Sequence, residues 1–172
     1  PGTRRPPGRG PAPRPRTAHC GGHAPAARRA PIMTAGLRLR TAMPEPLVFV
    51  YGSLRRGAYA HGRLRPAALR LGSASVAGCL YDLGPYPAAR PARRAADRVQ
   101  GELYRLTRPR ALAALDRYEG FDPQHPQRGE YRREQVGARL AGRRVTAWVY
   151  WHNGPLRGAR RVPSGRWRAR RR

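Results

Sequence analysis

The first unbroken apolar run in the chain is Leu47-Val48-Phe49-Val50. Four apolar residues with β-branched and aromatic character, and no polar alternation, predict a short strand buried on both faces. The run stops at Tyr51-Gly52-Ser53-Leu54, where Gly52 supplies backbone freedom for a sharp turn. Residues 58–71 carry Leu64, Ala67, Ala68 and Leu71 at helical spacing, but Pro66 interrupts them, so a short or broken helix is expected. Residues 73–83 alternate loosely and predict a strand that ends at Gly84-Pro85-Tyr86-Pro87. An Arg-rich polar connection over 90–97 leads to a second clear strand over 98–106, in which Gly101 marks a bulge or the close approach of another backbone. The strongest helix signal follows: Thr107 as cap, Pro109 near the start, an apolar stripe of Ala111, Leu112, Leu115 and Tyr118, and Gly120 as the stop. After a loop over 121–129, residues 131–140 and 143–151 read as a hairpin turning at Ala141-Gly142. Val145, Ala147 and Val149 fall on one side of its second strand, Trp148 and Tyr150 on the other. From Asn153 onward the pattern dissolves. About five strands with one firm helix predict a small sheet that closes its edges by curling into a barrel.

Composition changes this picture at the ends. The net charge of +27 is uneven: residues 1–42 hold nine arginines, residues 157–172 hold eight, and neither segment holds an acid. No lysine occurs anywhere, and arginine accompanied by abundant Ala, Gly and Pro points to a coding bias toward G and C rather than to a selected basic patch. Residues 1–42 have almost no large apolar side chains and are expected to be disordered, and possible starts at Met33 and Met43 place them upstream of the true beginning. The expected domain covers residues 43–156, followed by an Arg-rich tail over 157–172. Nucleic acid is not an expected partner, since the basic ends lack interleaved aromatic residues. No apolar run approaches the roughly 18 residues of a membrane span. Cys20 and Cys79 form no metal-ligand spacing, so no metal site is expected, and a reducing cytoplasm fits this cysteine usage.

Two stretches could carry chemistry. The turn Tyr51-Gly52-Ser53-Leu54 ends a buried strand, so its N–H groups can converge on a carboxylate or a developing oxyanion. An ordinary strand-to-loop turn fits the same residues. Glu119 closes the firm helix, where the negative end of the helix dipole disfavours an anion. A carboxyl group whose pKa is raised by that field and by burial suits acid–base work near neutral pH, whereas a solvated helix-end glutamate needs no task. Glu102 is expected to pair with an arginine, and Asp116 to sit exposed on the helix beside one. Ser53 lacks the surroundings of a nucleophile elbow, which leaves it a hydrogen-bonding role. His61 and His152 are isolated, and Tyr86 and Tyr131 are candidate pocket walls.

Taken in order, Tyr51-Gly52-Ser53-Leu54-Arg55, Leu83-Gly84-Pro85-Tyr86-Pro87, Gln100-Gly101-Glu102-Leu103-Tyr104, Leu115-Asp116-Arg117-Tyr118-Glu119-Gly120, Tyr131-Arg132-Arg133 and Trp148-Val149-Tyr150 resemble the gamma-glutamylcyclotransferase-like family, in its AIG2-like, gamma-glutamylamine branch. The resemblance covers roughly residues 46–152. It implies an α+β fold, a small mixed β-barrel with flanking helices. It implies a pocket floored by Tyr51, Gly52, Ser53 and Leu54, lined by Tyr51 and Tyr131, with Glu119 as the acid–base group. It further implies a cofactor-free closure of a small-molecule γ-glutamyl substrate to 5-oxoproline. A rival on the same fold is a module that binds a small carboxylate without turnover. Two positions depart from the pattern: Ala60-His61 stands where relatives often carry Asn-His, and Arg166 stands where an acid is usual.

Overall fold

A computed structural model describes residues 45–168. The expectations for residues 1–42, Cys20 and Met33 included, lie outside the described residues, as does Met43. The elements run β1 (Leu47–Val50), α1 (His61–Leu64), a 3-10 turn (Arg65–Ala67), β2 (Ala68–Asp82), β3 (Pro87–Pro91), β4 (Arg98–Leu106), α2 (Ala111–Tyr118), β5 (Tyr131–Leu140), β6 (Arg143–His152) and β7 (Arg160–Arg161).

Strands β2, β4, β1, β6 and β5 follow one another side by side, and β5 returns to β2 through Ala74↔Leu140, Ser75↔Arg139 and Val76↔Ala138. This closes a barrel and removes its edges. The β1–β6 pair is parallel, and the other barrel pairs are antiparallel. The expected small mixed barrel with flanking helices is therefore the fold. Strand β1 is buried on both faces, as its unbroken apolar run predicts. Phe49 joins the barrel interior with Val76, Leu103, Val149 and Trp151. Val48 and Val50 face outward, where α1 and α2 cover them with Leu64 and Leu115. Complete burial of such side chains stabilises the fold by roughly 1.5–3 kcal/mol each.

Four local expectations are corrected. The helix expected over 58–71 is one turn long, because Pro66 lies in the first turn of the 3-10 segment and the chain is already in β2 at Ala68. Thr107 does not cap α2. Arg110 holds that position with no side-chain cap, and the Thr107 N–H instead donates to the Ala67 carbonyl at 2.9 Å. The stretch read as turn and polar connection contains β3, with Ala88 and Ala89 fully buried. Its prolines are tolerated because β3 is an edge strand, hydrogen-bonded to β2 alone. Finally, the chain after Asn153 does not dissolve. β7 pairs with Tyr81 and Asp82, the Gln100 N–H donates to the Gly165 carbonyl at 2.7 Å, and Trp167 is buried in the barrel core. Gly101 does mark a close approach: a Cβ there would lie 2.2 Å from the Val50 carbonyl oxygen. The register irregularity is elsewhere, between Arg70 and Gly72 of β2.

Candidate active site

The site forms where β1 leaves the barrel. Tyr51, Gly52, Ser53 and Leu54 follow the strand directly and make one wall of a small cavity that opens to solvent. Within the turn, the Arg55 N–H returns to the Gly52 carbonyl at 3.1 Å and the Ala60 N–H to the Ser53 carbonyl at 3.1 Å. These bonds use the carbonyls of Gly52 and Ser53, and both residues line the cavity together with Leu54. Gly52 is required here for a reason other than the expected one. Its φ is not positive; a Cβ at this position would stand 2.8 Å from Pro87 Cγ, so the missing side chain lets β3 close against the turn.

Glu119 faces the same cavity from the end of α2. It is the last residue held by the helix, its N–H donating to the Leu115 carbonyl at 2.9 Å, and Gly120 then reverses the chain at φ +63°. Burial is the main cause that raises the Glu119 pKa, to about 8, and the neighbouring charge of Glu130 adds to it. No cation lies within ion-pair distance of Glu119 among the described residues.

The phenols around Glu119 stay protonated. The Tyr51 hydroxyl donates to the Tyr150 carbonyl at 2.7 Å, and burial holds its pKa well above the ordinary tyrosine value. Burial raises the pKa values of Tyr131 and Tyr150 in the same way. Ser53 Oγ and the Tyr118 hydroxyl are 3.2 Å apart, which ties the turn to the last residue of α2. The expected hydrogen-bonding role of Ser53 is thus filled.

A clamp missed in the sequence fixes the helix end. Asp116 is buried, not exposed; Arg133 grips both its carboxylate oxygens at 2.7 and 2.6 Å, and the Tyr150 hydroxyl donates to it at 2.7 Å. The Arg133 guanidinium also lies over the rings of Phe121 and Trp148, at 5.0 and 4.5 Å from their centroids. Arg133 therefore holds the chain three residues before Glu119 and two residues after it. The signal available in the sequence was the arginine two residues after Tyr131, indistinguishable there from many others.

All six residues expected at the site, Tyr51, Gly52, Ser53, Leu54, Glu119 and Tyr131, line this one cavity. Tyr86, expected as a wall, lines it too, joined by Pro87 and Tyr150. Glu102, His61 and His152 do not line the cavity. Glu102 accepts bonds from the Arg56 N–H at 2.8 Å, the Tyr104 hydroxyl at 2.9 Å and Arg70 Nε at 3.1 Å, the expected ion pair included. His61 Nδ1 sits 3.0 Å from the Leu54 carbonyl oxygen, behind the turn. His152 packs edge-on against Tyr131, and burial lowers its pKa.

Residues 48–169 match the family model described as "Gamma-glutamyl cyclotransferase, AIG2-like". A gamma-glutamylcyclotransferase family protein, ytfP, from Citrobacter rodentium is 35% identical over 123 residues, which cover 70% of this chain and 93% of that protein. The solution structure of ytfP from Escherichia coli aligns with a TM-score of 0.50 at 32% identity, covering 70% of this chain and 95% of that one. The crystal structure of an AIG2-like protein from Mus musculus shares the fold, with a TM-score of 0.55 at 21% identity over 67% of this chain and 82% of that one. No helix among the described residues is long and apolar enough to cross a membrane. With the family model matching well over half its length and a curated relative above 30% identity across most of it, the chain belongs to the AIG2-like gamma-glutamyl cyclotransferase family.

Proposed function

We propose that this protein catalyses the closure of a γ-glutamyl amide to 5-oxoproline, with Glu119 as acid and base. The free α-amine of the glutamyl unit attacks its own γ-carbonyl carbon. A C–N bond forms within the ring, the original amide C–N bond breaks, and the departing nitrogen takes up a proton. The atoms balance without water or an external reagent. The nucleophile must lose a proton and the leaving nitrogen must gain one, so a single carboxylate can do both in turn. A pKa of about 8 suits that exchange near neutral pH. The N–H groups of Gly52, Ser53 and Leu54 would hold the α-carboxylate and orient the folded glutamyl chain. Because attack is intramolecular, fixing that conformer supplies much of the rate. Tyr51 and Tyr131 would pack against the substrate as neutral phenols.

The observation that carries this reading is the shared cavity, with an acid lacking a counter-charge on one side and a strand-end turn on the other. The test is 5-oxoproline release from a panel of γ-glutamyl compounds by the wild type and Glu119→Gln. Turnover by the wild type alone supports the reading, and equal turnover by both removes Glu119 from the mechanism. Saturable binding of the panel with no product from the wild type establishes a non-catalytic binding module instead.

A further inference from the structure

A bias toward arginine scatters cations along a chain, but it does not gather them. Arg94, Arg98, Arg139 and Arg144 nevertheless line one groove on the outside of the barrel, with Ser75, Ala77 and Gly137 among the small residues between them. These positions on β2, β5 and β6 face outward because their neighbours Val76, Ala138 and Val145 pack into the barrel core. The registers bring the row together: Arg144 lies directly opposite Arg139, Arg139 opposite Ser75, and Ala77 opposite Arg98. Like charges set opposite each other on adjacent strands cost stability. Gly137 lets one of them lie down across its strand, since a Cβ there would stand 2.2 Å from Arg144 Nε.

No carboxylate offsets this charge. Among the described residues, none of the four arginines lies within ion-pair distance of an acid. Arg98 Nη1 donates to the carbonyls of Ala95 and Asp97 at 2.7 and 2.9 Å, neutral acceptors that hold the side chain in place and leave its charge uncompensated. Asp97, next in sequence, is engaged by the Cys79 thiol at 3.0 Å and by Arg161, and from the groove it takes the Arg94 backbone N–H at 3.2 Å. The residue types specify what could compensate the row. Guanidinium groups match phosphate oxygens with paired N–H donors, and several along one groove suit successive phosphates. No aromatic side chain lines the groove, so a base would find nothing to stack on.

We propose that this groove binds a short chain of phosphates, of which tripolyphosphate is the simplest form. The groove shares no lining residue with the cavity that holds Glu119, so the inference stands apart from the cyclotransferase reading. A nucleoside triphosphate offers the same phosphates with a base attached and serves as the second probe.

The test is thermal unfolding of the full chain against rising tripolyphosphate, orthophosphate or ATP, without divalent cations and at about 0.15 M salt. A ligand held equally by the folded and unfolded chain leaves Tm unmoved, so a shift reads the folded groove and not the basic chain ends. In the wild type, tripolyphosphate raises Tm saturably, with an apparent Kd at least about tenfold below that of orthophosphate and no higher than that of ATP. Replacing the opposed pair, Arg139→Gln with Arg144→Gln, raises the Kd for tripolyphosphate about tenfold or more. The same variant without ligand melts no lower than the wild type, because the repulsion across β5 and β6 is relieved. Gly137→Ala keeps the net charge, pushes Arg144 aside and weakens binding several-fold. Arg108→Gln with Arg110→Gln removes two exposed arginines outside the groove and leaves the Kd within about threefold. A Tm that tripolyphosphate does not move overturns the inference, as does equal weakening in the two double variants, which would reduce the effect to general attraction. An unchanged Kd in Gly137→Ala also overturns it. Binding of ATP more than about tenfold tighter than tripolyphosphate overturns the assignment to a bare phosphate chain.

Discussion

Glu102 and Glu119 are both largely withdrawn from water, yet the protein drives their acidities apart. Burial would raise the Glu102 pKa, but the Arg56 N–H, the Tyr104 hydroxyl and Arg70 outweigh it and hold the carboxyl below its ordinary value. Around Glu119 burial is unopposed, and Glu130 adds a like charge. The contrast matters because arginine is so plentiful in this chain: ion pairing is the default fate of an acid here. Glu102 has become part of the scaffold, anchoring the strap after the turn to β4. Glu119 is left able to gain or lose a proton near neutral pH. Burial alone does not distinguish the two carboxylates; the presence or absence of donors does.

The widest separation is expected in turnover. Glu119→Gln should lower kcat/KM for 5-oxoproline release by about 10²–10⁴, the usual worth of a positioned acid–base group. Glu102→Gln should keep activity within a few-fold and instead cost about 1–3 kcal/mol of stability, because Arg70 and the Arg56 N–H lose their charged acceptor. Steady-state kinetics and urea denaturation of both variants decide the matter. If the two phenotypes are exchanged, the assignment of roles is wrong.

The clamp comes next. Arg133→Leu leaves the Asp116 carboxylate buried without its ion-pair partner, an arrangement that typically costs about 3–5 kcal/mol. Arg133→Lys keeps the charge but not the planar guanidinium that lies over the Phe121 and Trp148 rings. It should retain most of the stability and lose activity chiefly in kcat, since the end of α2 is then free to shift. Losses confined to stability in Arg133→Lys would reduce the clamp to packing.

Much of this architecture was legible in the chain itself. The apolar run of β1, the alternation of β6, and the helix ended by Gly120 each follow from side-chain period and from a glycine at positive φ. The turn and the acid were legible because both sit at element ends, where backbone and dipole effects are local. What was not legible depends on distant partners. β3 is hidden because proline and arginine read as a connection until β2 supplies the pairing partner. Asp116 was expected beside an arginine and is, but it looks like a surface acid until β5 brings Arg133 to 2.6 Å and buries it. Trp167 sits among arginines and gives no sign in the sequence that it enters the barrel. Gly52 was noticed for the wrong reason, since only the folded chain shows Pro87 against it. Gly52→Ala should therefore cost about 1–3 kcal/mol, as overpacking does, and raise KM by moving the turn, with kcat less affected. Denaturant midpoints and KM values check this.

The smallest expected effect is also the one that sets the two acids most directly against each other. Glu119 has a folded-state pKa of about 8, above its ordinary value of 4.5. Between those two pH values the folded protein binds a proton that the unfolded chain does not, so stability falls as pH rises across that window. Above about pH 8 the full cost of a buried anion is present, and below about pH 4.5 none of it is. Because Glu119 keeps partial contact with water, the cost should be only about 1–3 kcal/mol. Glu119→Gln removes it, so the variant should be more stable than the wild type at alkaline pH, and the gap should close toward pH 4.5. Glu102 predicts the opposite slope. Its depressed pKa contributes stability above its unfolded value, lost as pH falls through the folded one, so Glu102→Gln should lag the wild type near neutral pH and approach it in acid. Urea unfolding of the three proteins across pH measures both slopes together. A flat difference curve for Glu119→Gln would mean that its carboxyl titrates as it does in the unfolded chain, and the proton exchange proposed for the site would lose its physical basis.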